Sequence, residues 1–169
     1  MALTSSVSIA ATAELSTALD LTTGRAPLQV RRAVQYGSGT GAGKADRVFS
    51  DRRTLAASAS EDLDLAGVLL DAFGATITLA RIKGLIVSAA AGNTNNVVIG
   101  AASSNPWATL LGATHTLTLR PGATLALMVG EADATAYAVT AGTADLLKVA
   151  NSGSGTPVSY DVVLIGTST

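Results

Sequence analysis

The chain has 169 residues, enough for one domain with a sizeable core, and no cysteine, which excludes disulfides, thiolate metal sites and a Cys nucleophile. Apolar residues make up 48 % and aromatics only 4 %, so Ala, Val, Leu and Ile must fill that core. Charged residues are 14 % and the formal net charge is −1, with no basic face able to displace counterions from phosphate, so nucleic acid is not an expected partner.

A surface this thinly charged disfavours a free monomer, because charge is what normally blunts association. Burial of part of it between subunits is the expected remedy. The start, Met1-Ala2-Leu3-Thr4-Ser5-Ser6, lacks the basic residues and long apolar run of a signal peptide, and no stretch reaches the length of a membrane span. A soluble protein made in the cytosol, with no membrane partner, is the expectation.

In chain order, residues 1–45 read as an N-terminal arm. It carries short strands at Ser6–Ala11 and Leu28–Val34, punctuated by Thr22-Thr23-Gly24 and Pro27, and ends in the Gly-rich linker Gly37–Gly43. Residues 46–169 read as the folded domain. Strands are expected at Thr54–Ser58 and Asp62–Ala66, and a longer one at Thr76–Ser88, whose apolar phase changes around Arg81 and Lys83. A β-bulge or a bend there would return both Ile77/Leu79 and Ile82/Ile86 to the core. Leu65–Phe73 is the one segment that could form a helical turn or two, limited by Gly67 and Gly74.

The turn signal Gly92–Asn96 leads into Val97–Gly100, and Ser103–Pro106 precedes a strand at Trp107–Leu111. Leu117 and Leu119 alternate with polar residues, as do Leu125, Leu127 and Val129, with Pro121-Gly122 between them. That pattern predicts a β-hairpin. Shorter strands follow at Ala136–Thr140 and Leu146–Ala150, then the loop Ser152–Pro157. Val158–Ile165 is apolar on both faces, as an interior strand would be. Eight to ten short strands with turns every 8–12 residues argue for an all-β fold, an antiparallel β-sandwich or jelly roll with an extended N-terminal arm. The similarity between Ala13–Leu21 and Ala59–Ala66 is too loose for a repeat.

Each chemical motif gives way to a simpler reading. Gly37–Lys44 fails as a phosphate loop, because Ser38 replaces the first Gly and Ala45 the Ser/Thr that would hold magnesium. Ala42 likewise breaks a dinucleotide fingerprint. His115 is the sole histidine, has no GxSxG companion, and reads as a packed or edge residue. Glu61, Asp62 and Asp64 form the densest carboxylate cluster. Alternation puts Asp62 and Asp64 on a solvated face opposite Leu63 and Leu65, rather than in a calcium loop. Glu131 and Asp133 lack the sugar-stacking aromatics of a glycosidase. Trp107, Phe49, Phe73 and the tyrosines read as packing residues. The expectation is therefore a non-enzyme, with no catalytic, cofactor-binding or metal-binding residues.

Four segments carry a resemblance. They are ADRVFSDRRTLAASASEDLDLAGVLLD at Ala45–Asp71, AAGNTNNVVIG at Ala90–Gly100, LTLRPGATLAL at Leu117–Leu127 and DLLKVANSGSGTPVSYDVVLIGTS at Asp145–Ser168. Together they resemble small β-rich virion structural proteins of tailed bacteriophages. The resemblance implies a capsid decoration or cement protein located in the virion. It would be homo-oligomeric, a trimer above all, and would contact the major capsid protein or other virion proteins. It carries over no functional residues. The alternative is a tail-tip, baseplate or fibre module that recognises a host glycan or protein through exposed loops such as Gly92–Asn96 or Ser152–Thr156.

Overall fold

Strands account for all of the regular structure in residues 2–169, the part of the chain that the computed structural model describes. The first two, β1 (Ser5–Ala18) and β2 (Thr23–Ser38), form one antiparallel hairpin that runs from the Ser5–Tyr36 pair out to Ala18–Thr23. The short β3 (Lys44–Ala45) lies parallel to the end of β2. After these come β4 (Arg47–Leu55), β5 (Ser60–Asp64), β6 (Arg81–Ala89), β7 (Val97–Gly100), β8 (Thr116–Leu119), β9 (Thr124–Met128), β10 (Tyr137–Ala138), β11 (Leu146–Asn151) and β12 (Val158–Thr167).

Two antiparallel sheets make the body, an all-β sandwich. One has the order β10-β6-β12-β4, with β9 also on the free side of β6, and the other runs β5-β11-β7-β8. Aliphatic side chains from both close over the core: Leu85, Val87, Val162 and Leu164 from the first, Ile99 and Val149 from the second, all fully buried. With so few aromatics, Trp107 and Tyr160 are the only rings in that cluster besides Phe49 and the half-buried Tyr137.

The last strand is interior, as its two-sided apolar pattern requires: β12 pairs with β4 on one side and β6 on the other. The phase change expected near Arg81–Lys83 is a bulge. Ile165 pairs with Gly84 but Gly166 pairs with Ile82, leaving Lys83 as the extra residue. Two residues then oppose one, the side-chain alternation shifts by one position, and Ile82, Leu85 and Val87 reach the core, whereas Ile86, expected there with Ile82, falls on the other face and is only half-buried.

Five expectations are corrected. Of Thr54–Ser58 only Thr54 and Leu55 are strand, and of Thr76–Ser88 only the part from Arg81 is. The turn at Arg120–Ala123 forms, with Ala123 N–H donating to the Arg120 carbonyl at 2.8 Å and Gly122 at φ +79°. However, β8 and β9 do not make a hairpin. β8 pairs with β7 and β9 pairs with β6, in different sheets. A Pro-Gly turn with positive φ only at its second central residue has a twist that splays the flanking strands, so it suits a crossing between layers. Leu65–Phe73 is not helical, because its polar groups are used locally. The Asp64 carboxylate accepts from Ala66 N–H, and that of Asp71 accepts from both Phe73 and Ala75 N–H, each at 2.9 Å. Trp107–Leu111 is turn and coil. Trp107 is nonetheless buried in the main core, edge-on to Tyr137, and its indole N–H donates to the Ala138 carbonyl at 2.8 Å.

Candidate interaction site

The feature that stands apart from the sandwich is the β1–β2 hairpin. Directly paired residues of an antiparallel ladder share a face. Val7–Val34, Ala11–Val30, Ala13–Leu28 and Leu15–Ala26 therefore line one side, while Ser6–Gln35, Thr12–Gln29, Glu14–Pro27 and Ser16–Arg25 line the other. The hairpin is an amphipathic ribbon, its apolar face interrupted by Arg32 opposite Ile9 and by Thr17 opposite Gly24. On its polar face Arg25 and Glu14 form an exposed ion pair at 3.0 Å.

Only the base of the apolar face is covered by the body. Val7, Val34, Tyr36 and Ala45 pack with Ile165 in a small second core. The Tyr36 hydroxyl donates to the Val129 carbonyl at 2.6 Å, with the Lys83 carbonyl at 2.9 Å, and accepts from Val129 N–H. Burial pushes this phenol above its ordinary range. The loop after β2 is held as well. Gly37 and Gly39 N–H donate to the Gly43 and Ala45 carbonyls, and the Lys83 ammonium donates to the Gly41 carbonyl at 2.5 Å. The Gly-rich run is thus a tight, hydrogen-bonded loop. Burial holds the Lys83 ammonium below the usual lysine range, a shift opposed in part by the Asp133 carboxylate.

Beyond Val7 and Val34 the ribbon is bare. Every residue from Ser8 to Ala33 is exposed except Gly24. Among the described residues, six of the ten exposed large apolar side chains stand on it: Ile9, Leu15, Leu19, Leu21, Leu28 and Val30. The tip residue Leu21 is 99 % exposed. A two-stranded ribbon has no second layer of its own to cover its apolar side, and the body leaves this face exposed.

The residues singled out in the sequence are dispersed. His115 is exposed in the bend before β8, and Glu61, Asp62 and Asp64 lie on β5, at the opposite edge of the same sheet. With β11 and β7 between, three strand spacings of roughly 4.8 Å separate them. Glu61 is engaged in structure: it accepts from the Tyr160 hydroxyl at 2.8 Å and pairs with Arg53 at 2.5 Å. Burial first, then this carboxylate, holds the Tyr160 phenol far above its ordinary range. Asp64 caps its own turn, while Asp62 is exposed. Asp133 accepts from Thr135 and Ala136 N–H, which lowers its pKa, and Glu131 sits over the ribbon base beside Gln35 N–H.

The loops Gly92–Asn96 and Ser152–Thr156 do come together, at the other end of β6 from the ribbon. They are knitted to each other and to the sheet. Ser152 N–H donates to the Asn96 carbonyl, Asn96 N–H to the Ser152 hydroxyl and the Asn95 amide to the Thr156 carbonyl, while the Asn93 amide brackets the Ser159 backbone.

Sequence reading missed the ribbon face. Its signal is the odd-numbered run Val7, Ile9, Ala11, Ala13, Leu15, which is weak because alanine contributes little contrast to an alternating pattern. Comparison with protein-family models, with curated proteins and with solved structures finds no match.

Proposed function

We propose that this chain is a structural subunit of a tailed-phage virion, a decoration or cement-like protein that works by cohesion, bridging neighbouring subunits of the head. The observation that carries the reading is the ribbon, a long apolar face packed on the body at its base and uncovered beyond it. Such a surface suits a partner that stays bound, since lasting interfaces are more apolar than transient ones. The resemblance of the Ala45–Asp71 and Asp145–Ser168 segments to phage structural proteins supports the virion setting, and homo-oligomerisation, with a trimer as the first expectation, follows from it. The loops a host-recognition module would use are engaged with each other rather than free, which favours the cohesive reading.

The test is direct. Purified protein is incubated with phage heads lacking their accessory proteins, and bound copies are located by electron microscopy. Saturable binding at regular lattice positions, with a rise in the temperature at which the heads release DNA, is the expected result. Absence of binding to heads, together with binding to a glycan array, would replace this proposal with the receptor-recognition alternative.

A further inference from the structure

We infer that the exposed apolar face of the ribbon is covered by the same face of a second copy of this chain, the two ribbons lying antiparallel about a two-fold axis. This deepens the cohesive reading above and rests on it for the role of the ribbon, but not for the virion setting.

Length selects the occupant. From the Ile9–Arg32 pair to the Ala18–Thr23 pair the ribbon has ten residue pairs, a strip roughly 33 Å long at about 3.4 Å per pair. The body's exposed apolar residues are Val48 on β4 and Val68, Leu70 and Phe73 in the connection between β5 and β6, and they offer no such strip. Among the described residues of this chain, only the ribbon itself offers an apolar strip of matching length.

Sterics and charge then select the orientation. The body packs on this same face at Val7, Val34 and Tyr36. A second ribbon laid parallel in register would occupy the space the body already fills, whereas an antiparallel one stops with its tip at the Ile9–Arg32 pair. The only charged side chain on the face, Arg32, stands at that limit, and the tip carries Asp20. Antiparallel overlap brings Arg32 of each copy to the Asp20 end of the other, at both ends of the contact.

Side-chain size agrees. The centre of the overlap falls at the Glu14–Pro27 pair. A two-fold axis there, running across the ribbon, sets β1 on β1 and β2 on β2. Leu15 then faces Ala13 of the second copy, Leu28 faces Ala26, and Val30 faces Gly24. Each large side chain meets a small one, the condition for interdigitation at a sheet spacing of about 10 Å.

Such a strip, roughly 10 Å wide, is smaller than the ~800 Å² per partner of a standard stable interface. The isolated contact is therefore a weak, concentration-dependent dimer. It becomes firm when the bodies are held side by side, because a high local concentration makes the second contact effectively intramolecular.

Because the chain has no cysteine, single introduced thiols report the geometry without background. Leu15→Cys, next to the axis, should be joined into covalent dimers by a short bismaleimide. Ser16→Cys, on the polar face, and Leu21→Cys, at the tip, should not self-join, while Leu21→Cys mixed with Ile9→Cys should. Leu28→Asp should weaken self-association about 100-fold in sedimentation equilibrium without changing the thermal midpoint of the body, since Leu28 touches nothing there. Self-joining of Leu21→Cys as efficient as that of Leu15→Cys would overturn the antiparallel arrangement. A chain that stays monomeric at millimolar concentration, with no Leu15→Cys dimer, would overturn the inference altogether. Either result leaves the virion assignment to the head-binding experiment. Heads that take up a chain unable to dimerise would separate the two.

Discussion

The buried ammonium of Lys83, the extra residue of a bulge in β6, donates to the Gly41 carbonyl of the loop that closes the ribbon. One irregularity in the sheet thus serves two ends. It corrects the phase of β6 and supplies the cation that ties the ribbon base to the sandwich. The arrangement has a cost in water. A fully buried lysine with one carbonyl acceptor loses most of its hydration, which is why its proton is held less tightly than usual.

That cost sets a pH dependence. The folded-state pKa of Lys83 lies below its unfolded value, so the unfolded chain binds the extra proton over the interval between them. Stability contributed through Lys83 therefore rises with pH from the folded pKa up to about 10.4. Lys83→Met, which keeps the aliphatic length, removes the dependence. Urea midpoints of the two proteins compared from neutral pH to about pH 10 should show the native chain gaining on the variant. A constant difference would contradict the assignment.

Tyr36→Phe leaves the ring in the small core but deprives the Val129 carbonyl of its hydroxyl donor, while the Lys83 carbonyl keeps the Val129 N–H at 2.9 Å. The expected loss is about 1–3 kcal/mol, the desolvation penalty of buried unsatisfied groups. It should appear as faster amide hydrogen exchange through residues 5–38, with β6 and β12 unchanged. Exchange that rises equally everywhere would show instead that ribbon and body unfold as one unit.

Glu61 is the acceptor for both Arg53 and the Tyr160 hydroxyl. Glu61→Ala should cost about 1–3 kcal/mol, because the buried Tyr160 hydroxyl loses its acceptor, while Arg53 keeps its pair with Asp51 at 3.2 Å. By contrast, Arg52→Ala breaks an exposed pair with Asp161 and should leave the thermal midpoint unchanged. Tyr160 should stay protonated well past pH ~10, where a free tyrosine ionises, and Glu61→Gln should bring its tyrosinate absorbance in at lower pH. Since the folded pKa is the higher one, the stability tied to Tyr160 is complete below about pH 10 and declines above it.

Gly166 follows the register shift on β12. A methyl group there would strike the Arg81 carbonyl and the Leu79 side chain. Gly166→Ala should lower stability by about 3 kcal/mol or more, at or beyond the upper end for overpacking, or prevent folding. Because Leu79 is the softer of the two obstacles, Gly166→Ala combined with Leu79→Ala should not recover. A full recovery would mean that the backbone contact is unimportant.

Legibility in the sequence followed the range of the forces involved. An irregularity near Lys83 showed through because two apolar phases collide within a few residues, although Ile77 and Leu79 proved to precede the strand and Ile86 to lie outside the core, and the interior position of β12 showed because both its faces are apolar. The Pro121-Gly122 turn was readable for the same local reason, but the pairing of the strands it joins was not. Pairing depends on which sheet edges are free, and β7 and β6 lie far away in the chain. The helix allowed at Leu65–Phe73 lost to side-chain hydrogen bonds from Asp64 and Asp71, an outcome that depends on where the two ends of the loop are held.

Composition and alternation were enough, by themselves, to settle an all-β antiparallel fold with an aliphatic core, because strand periodicity and turn chemistry act over a handful of neighbouring residues. What covers what was decided only in three dimensions. Tertiary packing buries Val7 and Val34 against Ile165 and leaves Leu15, Leu28 and Val30 uncovered on the same face. Nothing in their local sequence distinguishes these two sets; the difference is that the sandwich ends between them.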